Sequence, residues 1–185
     1  MRVISGTARG RKLKEFVGED IRPTGDMVKE SIFNIIQFDI EGRRVLDLFA
    51  GTGQLGIEAL SRGAKSAIFI DSSRDAINLI KENIKLCGLA DLATILMRDA
   101  ISYLKRSEKF DLIFIDAPYA TKLAETALGK IIEFDKLNEN GIIVYETYVD
   151  SISPAVSPPY YLQKEYIYGK VKIVRYEYCG IPREL

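Results

Sequence analysis

From residue 44 onward the chain alternates two spacings of apolar residues. RVLDLF (44–49), SAIFI (66–70), LATILM (92–97), FDLIFID (110–116) and GIIVYET (141–147) are short apolar runs bounded by turn or capping residues. Runs of this kind predict strands buried on both faces. Between them, LGIEALSRG (55–63), SRDAINLIKENIKLCG (73–88), DAISYLKRS (99–107) and TKLAETALGKIIEF (121–134) predict helices. In the second, Ala76, Ile77, Ile80, Ile84 and Cys87 recur at helical spacing, and Gly88 supplies a stop. Strand alternating with helix predicts an α/β fold, a mostly parallel, doubly wound, Rossmann-like sheet with right-handed crossovers.

The two ends read differently. YYLQKEYIYGKVKIVRYEYC (160–179) alternates on both sides of Gly169-Lys170, which predicts an antiparallel C-terminal hairpin closing one sheet edge. RVIS and RKLKEF predict a small N-terminal β-hairpin around Gly6 and Gly10. Pro23-Thr24 then starts a helix over 24–38, with Val28, Ile32, Ile35 and Ile36 on its apolar face. No linker or repeat divides the 185 residues, so one domain is expected, an N-terminal extension (1–22) on a core (23–185).

Composition narrows the chemistry. The chain has no histidine, which excludes histidine triads, imidazole bases and His-ligated metals. Two cysteines, Cys87 and Cys179, are too few for a disulfide framework or a cysteine zinc site. No metal is expected. No apolar run approaches the roughly 20 residues of a membrane span, and the N-terminus has no apolar signal region. A cytoplasmic protein without a membrane partner fits. Net charge is zero, yet residues 1–14 carry Arg2, Arg9, Arg11, Lys12 and Lys14 and no acid. The remainder holds 21 basic against 26 acidic residues. A basic arm on an acidic body is a pattern for phosphate contact, as well as that of a solvated tail.

VLDLFAGTGQLG (45–56) reads as strand, glycine turn and helix, with Gly51, Gly53 and Gly56 in G-x-G-x-x-G spacing. Glycine lets the backbone turn sharply and approach a ligand without a Cβ. Asp71 ends the next predicted strand about 20 residues on, where an acid can accept from ribose hydroxyls. A nucleoside-containing cofactor follows. NAD is one candidate, but Asp47, inside the strand before the loop, would face the pyrophosphate. The same carboxylate suits an ammonium-bearing ligand such as S-adenosylmethionine. Asp99 follows LATILM, placed to accept from an adenine amine or to act as a plain N-cap. The strand FDLIFID runs into Asp116-Ala117-Pro118-Tyr119; a turn needs only the carboxylate and the proline, and the aromatic ring points to more than a turn.

VLDLFAGTGQLGIEALSRGA with the Asp-Ala-Pro-Tyr strand end resembles class I S-adenosylmethionine-dependent methyltransferases. MRVISGTARGRKLK followed by RPTGDMVKESIFNI is similar to the start of the RsmD family, 16S ribosomal RNA guanine-N2 methyltransferases. The resemblance covers essentially the whole chain, including YGKVKI near the C-terminus. It implies that residues 23–185 form an S-adenosylmethionine-binding catalytic core. Asp47 and the loop Phe49, Ala50, Gly51, Thr52 and Gly53 would hold the methionine part. Asp71 with Ser72 would take the ribose, and Asp99 with Ala100 the adenine. Thr24 would help orient the cofactor carboxylate. Arg2, Arg9, Arg11, Lys12 and Arg22 would contact RNA.

At the strand end, Asp116 and the Ala117 carbonyl would accept from an exocyclic guanine amine, and Pro118 would stiffen the turn. Tyr119 would stack on the base; if only its ring face matters, Tyr119→Phe is nearly neutral. The expected product is S-adenosylhomocysteine. The expected partner is 16S rRNA, within a partly assembled small subunit, and the enzyme is expected to be a monomer. Three departures stand out. Ala117 replaces a usual proline, Met27 stands where a basic residue is frequent, and Asp71 is one methylene shorter than the usual glutamate. The arm is expected to lie outside the glycine-loop sheet. The rival readings are a DNA adenine-N6 methyltransferase, for which no target-recognition domain is in view, and a non-catalytic nucleotide-binding module.

Overall fold

A computed structural model of the protein describes residues 1–16, 25–119 and 121–180. In chain order the elements are α1 (Asp26–Ile35), β1 (Arg44–Asp47), α2 (Gln54–Ser61), β2 (Ser66–Asp71), α3 (Arg74–Cys87), β3 (Ala93–Met97), α4 (Ala100–Tyr103), β4 (Phe110–Ile115), α5 (Leu123–Glu133), β5 (Leu137–Tyr148), β6 (Tyr160–Tyr168) and β7 (Val171–Tyr178). The sheet order is β3-β2-β1-β4-β5-β7-β6. The first five strands run parallel, and β7 is antiparallel to both β5 and β6. Helices cover both faces. One core joins α1, α2 and α3 to Val45, Phe69, Phe114 and Val144. The other joins α4 and α5 to Leu46, Ile113, Ile115 and Ile143. Period-two alternation along each strand divides the residues between the two cores.

The predicted α/β class, the doubly wound sheet and the C-terminal hairpin are all present. Differences have local causes. β3 forms a sheet edge and is only partly buried, not covered on both faces. β5 begins four residues earlier than expected, because Leu137 pairs with Phe110 before a register shift. Asn140, at φ 60°, lets the polar stretch Asn138–Asn140 join the strand. The helix expected over 99–107 is a single turn. Its continuation bends away, and the buried Lys136 ammonium takes the Arg106 carbonyl.

α1 buries Val28, Lys29, Ile32 and Phe33, with Ile36 just beyond it, while Ile35 is only half-buried. Phe33 packs on Phe114, with ring centroids 5.8 Å apart. Lys29 is fully enclosed and donates to the Arg2 carbonyl at 2.5 Å; burial pushes its pKa down. The expected helix start at Pro23-Thr24, and with it Thr24 and Arg22, lies outside the described residues.

The N-terminal hairpin is reduced to one antiparallel bridge, Arg2 with Lys12, and flanking backbone bonds such as Val3 N–H to the Arg11 carbonyl at 3.0 Å. Nor does the arm lie apart from the glycine-loop region. Val3, Ala8 and Leu13 join the core beneath α2 and α3. The fully buried Glu58 carboxylate of α2 accepts from Ile4 N–H at 2.8 Å, Ser5 N–H at 2.9 Å and Arg62 Nε at 2.8 Å. Ser61 Oγ donates to the Ser5 carbonyl and accepts from Ala8 N–H. Asn83 of α3, also fully buried, accepts from Lys14 N–H at 2.7 Å and donates to the carbonyls of Lys14 and Thr52. One amide side chain therefore joins the arm to the glycine loop.

Candidate active site

Strand order reverses between β1 and β4: the chain runs outward from β1 to β3, then returns to β4 on β1's other side. In open α/β sheets the crevice beyond the carboxyl ends of the strands at this reversal is where ligands bind. The predicted site residues end the strands around it. Asp47 closes β1, Asp71 closes β2, and Asp116 follows β4.

Asp47 is 2% exposed and accepts from Gly56 N–H at 3.0 Å. Gly53 provides no side-chain cap for α2, so Asp47 supplies an acceptor to its first turn from the strand. Burial pushes the Asp47 carboxyl up from 3.8 to about 7, against the Gly56 bond, with Asp116 and Asp71 adding repulsion. An acid held up in this way is stabilised by a cation.

The sign of the pH effect follows. Between 3.8 and about 7 the unfolded chain has released a proton that the folded chain keeps, so stability falls as pH rises through this window. Asp47→Asn is expected to remove that loss, making the variant progressively more stable than wild type from pH 4 to 7 in thermal melts. Parallel melting curves for the two proteins would contradict it.

The glycine loop is built for close approach. Gly51 and Gly53 have φ of 54° and 79°, which L side chains rarely adopt, and a Cβ on Gly51 would meet open space. Gly56 has another reason: its Cβ would fall 2.3 Å from the Phe69 ring. Asp71 holds the loop in place, accepting from Gly51 N–H at 2.9 Å and from Ser73 N–H at 2.8 Å. Ala50 is buried, Phe49 and Thr52 are half-buried and Ser72 is exposed. Asp99 caps α4, and the Ser102 N–H at 2.7 Å holds its carboxyl below the usual range. The plain N-cap reading of Asp99 is therefore satisfied, and Ala100 is buried behind it.

At the β4 end Asp116 is half-buried, Ala117 buried, Pro118 exposed and Tyr119 half-buried. β4 pairs with β5 through Ile115 and Tyr145, so Asp116 and Glu146 follow side by side. Alternation turns both toward the face that carries Asp47. Glu146, 3% exposed, accepts from the Tyr119 hydroxyl. Tyr148 packs against the Tyr119 ring at 4.4 Å between centroids. Tyr119 is thus held by its hydroxyl as well as its face, and the expectation of a neutral Tyr119→Phe change loses its basis.

Sequence reasoning passed over Glu146, Tyr148, Asn83 and Glu58. Glu146 had a signal, since GIIVYET is an apolar strand run that ends in a carboxylate just as FDLIFID does. Asn83 and Glu58 looked like ordinary polar positions on helices.

The arm places Arg2, Arg9, Arg11 and Lys12 on the surface. Arg2 and Arg9 line a cavity of about 340 Å³ with Asp26 and Glu30 of α1. Met27 is 69% exposed, available for surface contact but without charge. Among the described residues no helix is long and apolar enough to cross a membrane, and no cluster of His, Cys, Asp or Glu is arranged to hold a metal ion.

Known proteins share this architecture. Residues 1–177 match the family described as "Conserved hypothetical protein 95". YlbH of Bacillus subtilis (strain 168) is 41% identical over 184 residues, covering 97% of this chain and all of YlbH. Ribosomal RNA small subunit methyltransferase D of Haemophilus influenzae is 38% identical over 162 residues, 85% of this chain and 83% of that protein. The solved structure of yhhF from Escherichia coli superposes with a TM-score of 0.88 at 30% identity, covering 98% of this chain and 99% of that one. Matched across nearly its whole length in sequence and in fold, the chain belongs to the RsmD family.

Proposed function

We propose that this protein transfers the methyl group of S-adenosylmethionine to the exocyclic N2 amine of a guanine in 16S ribosomal RNA. The observation that carries the reading is the convergence of Asp47, Asp71 and Asp116 on the crevice at the strand reversal, around a glycine loop. The relatives named ribosomal RNA small subunit methyltransferase D support the substrate class. The residues fit the cofactor: a buried carboxyl that a neighbouring cation would stabilise in its charged form, and a glycine loop in which Gly51 faces open space.

Bound there, S-adenosylmethionine supplies an electrophilic methyl group on a sulfonium and leaves as S-adenosylhomocysteine. Asp47 and the loop from Phe49 to Gly53 hold its methionine part, Asp71 and Ser72 its ribose, and Asp99 and Ala100 its adenine. Thr24 belongs to the same reading. A guanine amine is a poor nucleophile because its lone pair is delocalised into the ring. Asp116 and the Ala117 carbonyl accept from its N–H groups, aim the nitrogen and stabilise the positive charge that develops on it. In this reading the Asp116 carboxylate also takes the proton released from the methylated amine. Pro118 fixes the turn, and Tyr119 carries the base. The enzyme works as a cytoplasmic monomer on a partly assembled small subunit.

Transfer of labelled methyl from S-adenosylmethionine to small-subunit RNA, followed by nucleoside mass spectrometry, tests the proposal. N2-methylguanosine is expected; methyladenosine in DNA, or cofactor binding without turnover, would overturn it. The arm gives a separate prediction. Replacing Arg9, Arg11 and Lys12 with alanine is expected to flatten the salt dependence of RNA binding by about 0.7–0.9 per lost phosphate contact. Cofactor affinity should hold, because the arm is docked through its backbone and these side chains are exposed. Filter binding across a salt series checks this, and an unchanged slope would make the arm a solvated segment.

A further inference from the structure

We propose that Glu146 is a positioning residue for methyl transfer, acting through the Tyr119 hydroxyl to fix a two-ring platform of Tyr119 and Tyr148 beside Asp116. The inference rests on the proposed methyltransferase reading and deepens it.

The parallel pairing of Ile115 with Tyr145 brings the next residues of β4 and β5, Asp116 and Glu146, to neighbouring places at the crevice. Two strand ends thus each present a carboxylate followed by a tyrosine, Asp116 with Tyr119 and Glu146 with Tyr148. The acids divide the work. Asp116 is half-buried at the mouth, while Glu146 is 3% exposed and turned to the Tyr119 hydroxyl. A buried carboxylate accepting from a phenol makes a strong, directional bond. It removes the rotation that a tyrosine in an exposed turn would otherwise keep. The Tyr148 ring, tilted 52° to Tyr119, packs against it. Tyr148 is itself 41% exposed, so the pair offers aromatic surface at the crevice. A base resting on this corner has its plane set before its amine meets Asp116. Preorganised support of this kind matters because a displacement of about 1 Å can cost roughly 10²-fold in rate.

The test is a double-mutant cycle read by single-turnover methylation of small-subunit RNA, with cofactor affinity measured by calorimetry on every variant. Glu146→Ala and Tyr119→Phe are each expected to lower kcat/KM for RNA about 10- to 100-fold. Cofactor affinity should stay at the wild-type value. Because both changes break the same bond, the double variant should be no worse than either one. Glu146→Gln keeps an acceptor for the hydroxyl and should recover most of the loss. Where Glu146→Ala does not fold, Glu146→Gln and Tyr119→Phe complete the comparison. Losses that multiply in the double variant would overturn the inference, since Glu146 would then act independently of Tyr119. So would wild-type kcat/KM in both single variants. A wild-type chain that methylates no RNA would overturn the proposed function instead, and the two failures are thereby distinct.

Discussion

Asp116→Ala is expected to lower the single-turnover rate of methyl transfer by about 10²–10³, while RNA and cofactor binding change little. Asp116 stands beyond the end of β4, half-buried and close enough to raise the Asp47 carboxyl electrostatically. Its proposed partner, the guanine amine, is neutral before reaction and positive during it. An acceptor there does most of its work in the transition state, so its removal should appear in kcat with KM nearly preserved. Asp116→Asn sharpens the result, because a carboxamide still accepts a hydrogen bond but cannot balance a full charge. It should fall between wild type and alanine. Normal turnover in Asp116→Ala would rule out this mechanism.

Glu58→Ala is expected to destabilise the fold by about 3–5 kcal/mol, the usual cost of removing one partner from a buried ionic arrangement. In a chain of this size that lowers Tm by roughly 6–20 °C. The Glu58 carboxylate serves Ile4 N–H, Ser5 N–H and Arg62 Nε, and without it three donors in a closed region lose their acceptor. Gly6→Ala attacks the same joint from the arm's side. Its φ is 83°, and the new Cβ would stand 1.7 Å from the Ser61 carbonyl oxygen, an overlap that displaces the arm. Both variants should therefore lose RNA affinity and thermal stability together. Calorimetric melts with parallel RNA titrations check this. A Glu58→Ala protein melting at the wild-type temperature would show that the arm is not held there.

Much of the sheet was legible because its signals are local. Continuous apolar runs separated by helical spacing specify buried parallel strands, and Gly88, at φ 69°, closes α3 where the sequence said it would. The crevice acids were legible for the same reason: each interrupts or ends an apolar run, which burial would otherwise forbid. Contacts made by polar side chains across long separations were not. Lys29 reads as a helix-surface residue until the Arg2 carbonyl is found above it. Asn83 lies 69 residues from Lys14 and 31 from Thr52, and no periodicity records that it bonds both. Edge status was hidden likewise, since LATILM resembles the central strands in composition and differs only in having one neighbour.

The arm's anchorage has a consequence for how its surface charge can change. Among the described residues, most of the bonds that fasten it use main-chain atoms: the amides of Ile4, Ser5, Thr7, Ala8 and Lys14, and the carbonyls of Arg2, Ser5 and Lys14. Main-chain groups are the same whichever residue bears them. The exposed positions Arg2, Arg9, Arg11 and Lys12 can therefore be rewritten by drift or by an engineer without retuning the joint, so long as Gly6 and the buried Val3, Ala8 and Leu13 stay. The segment is fastened largely by one set of atoms and presents its charge through another, so under the proposed function the joint and the RNA-facing charge are free to diverge at different rates.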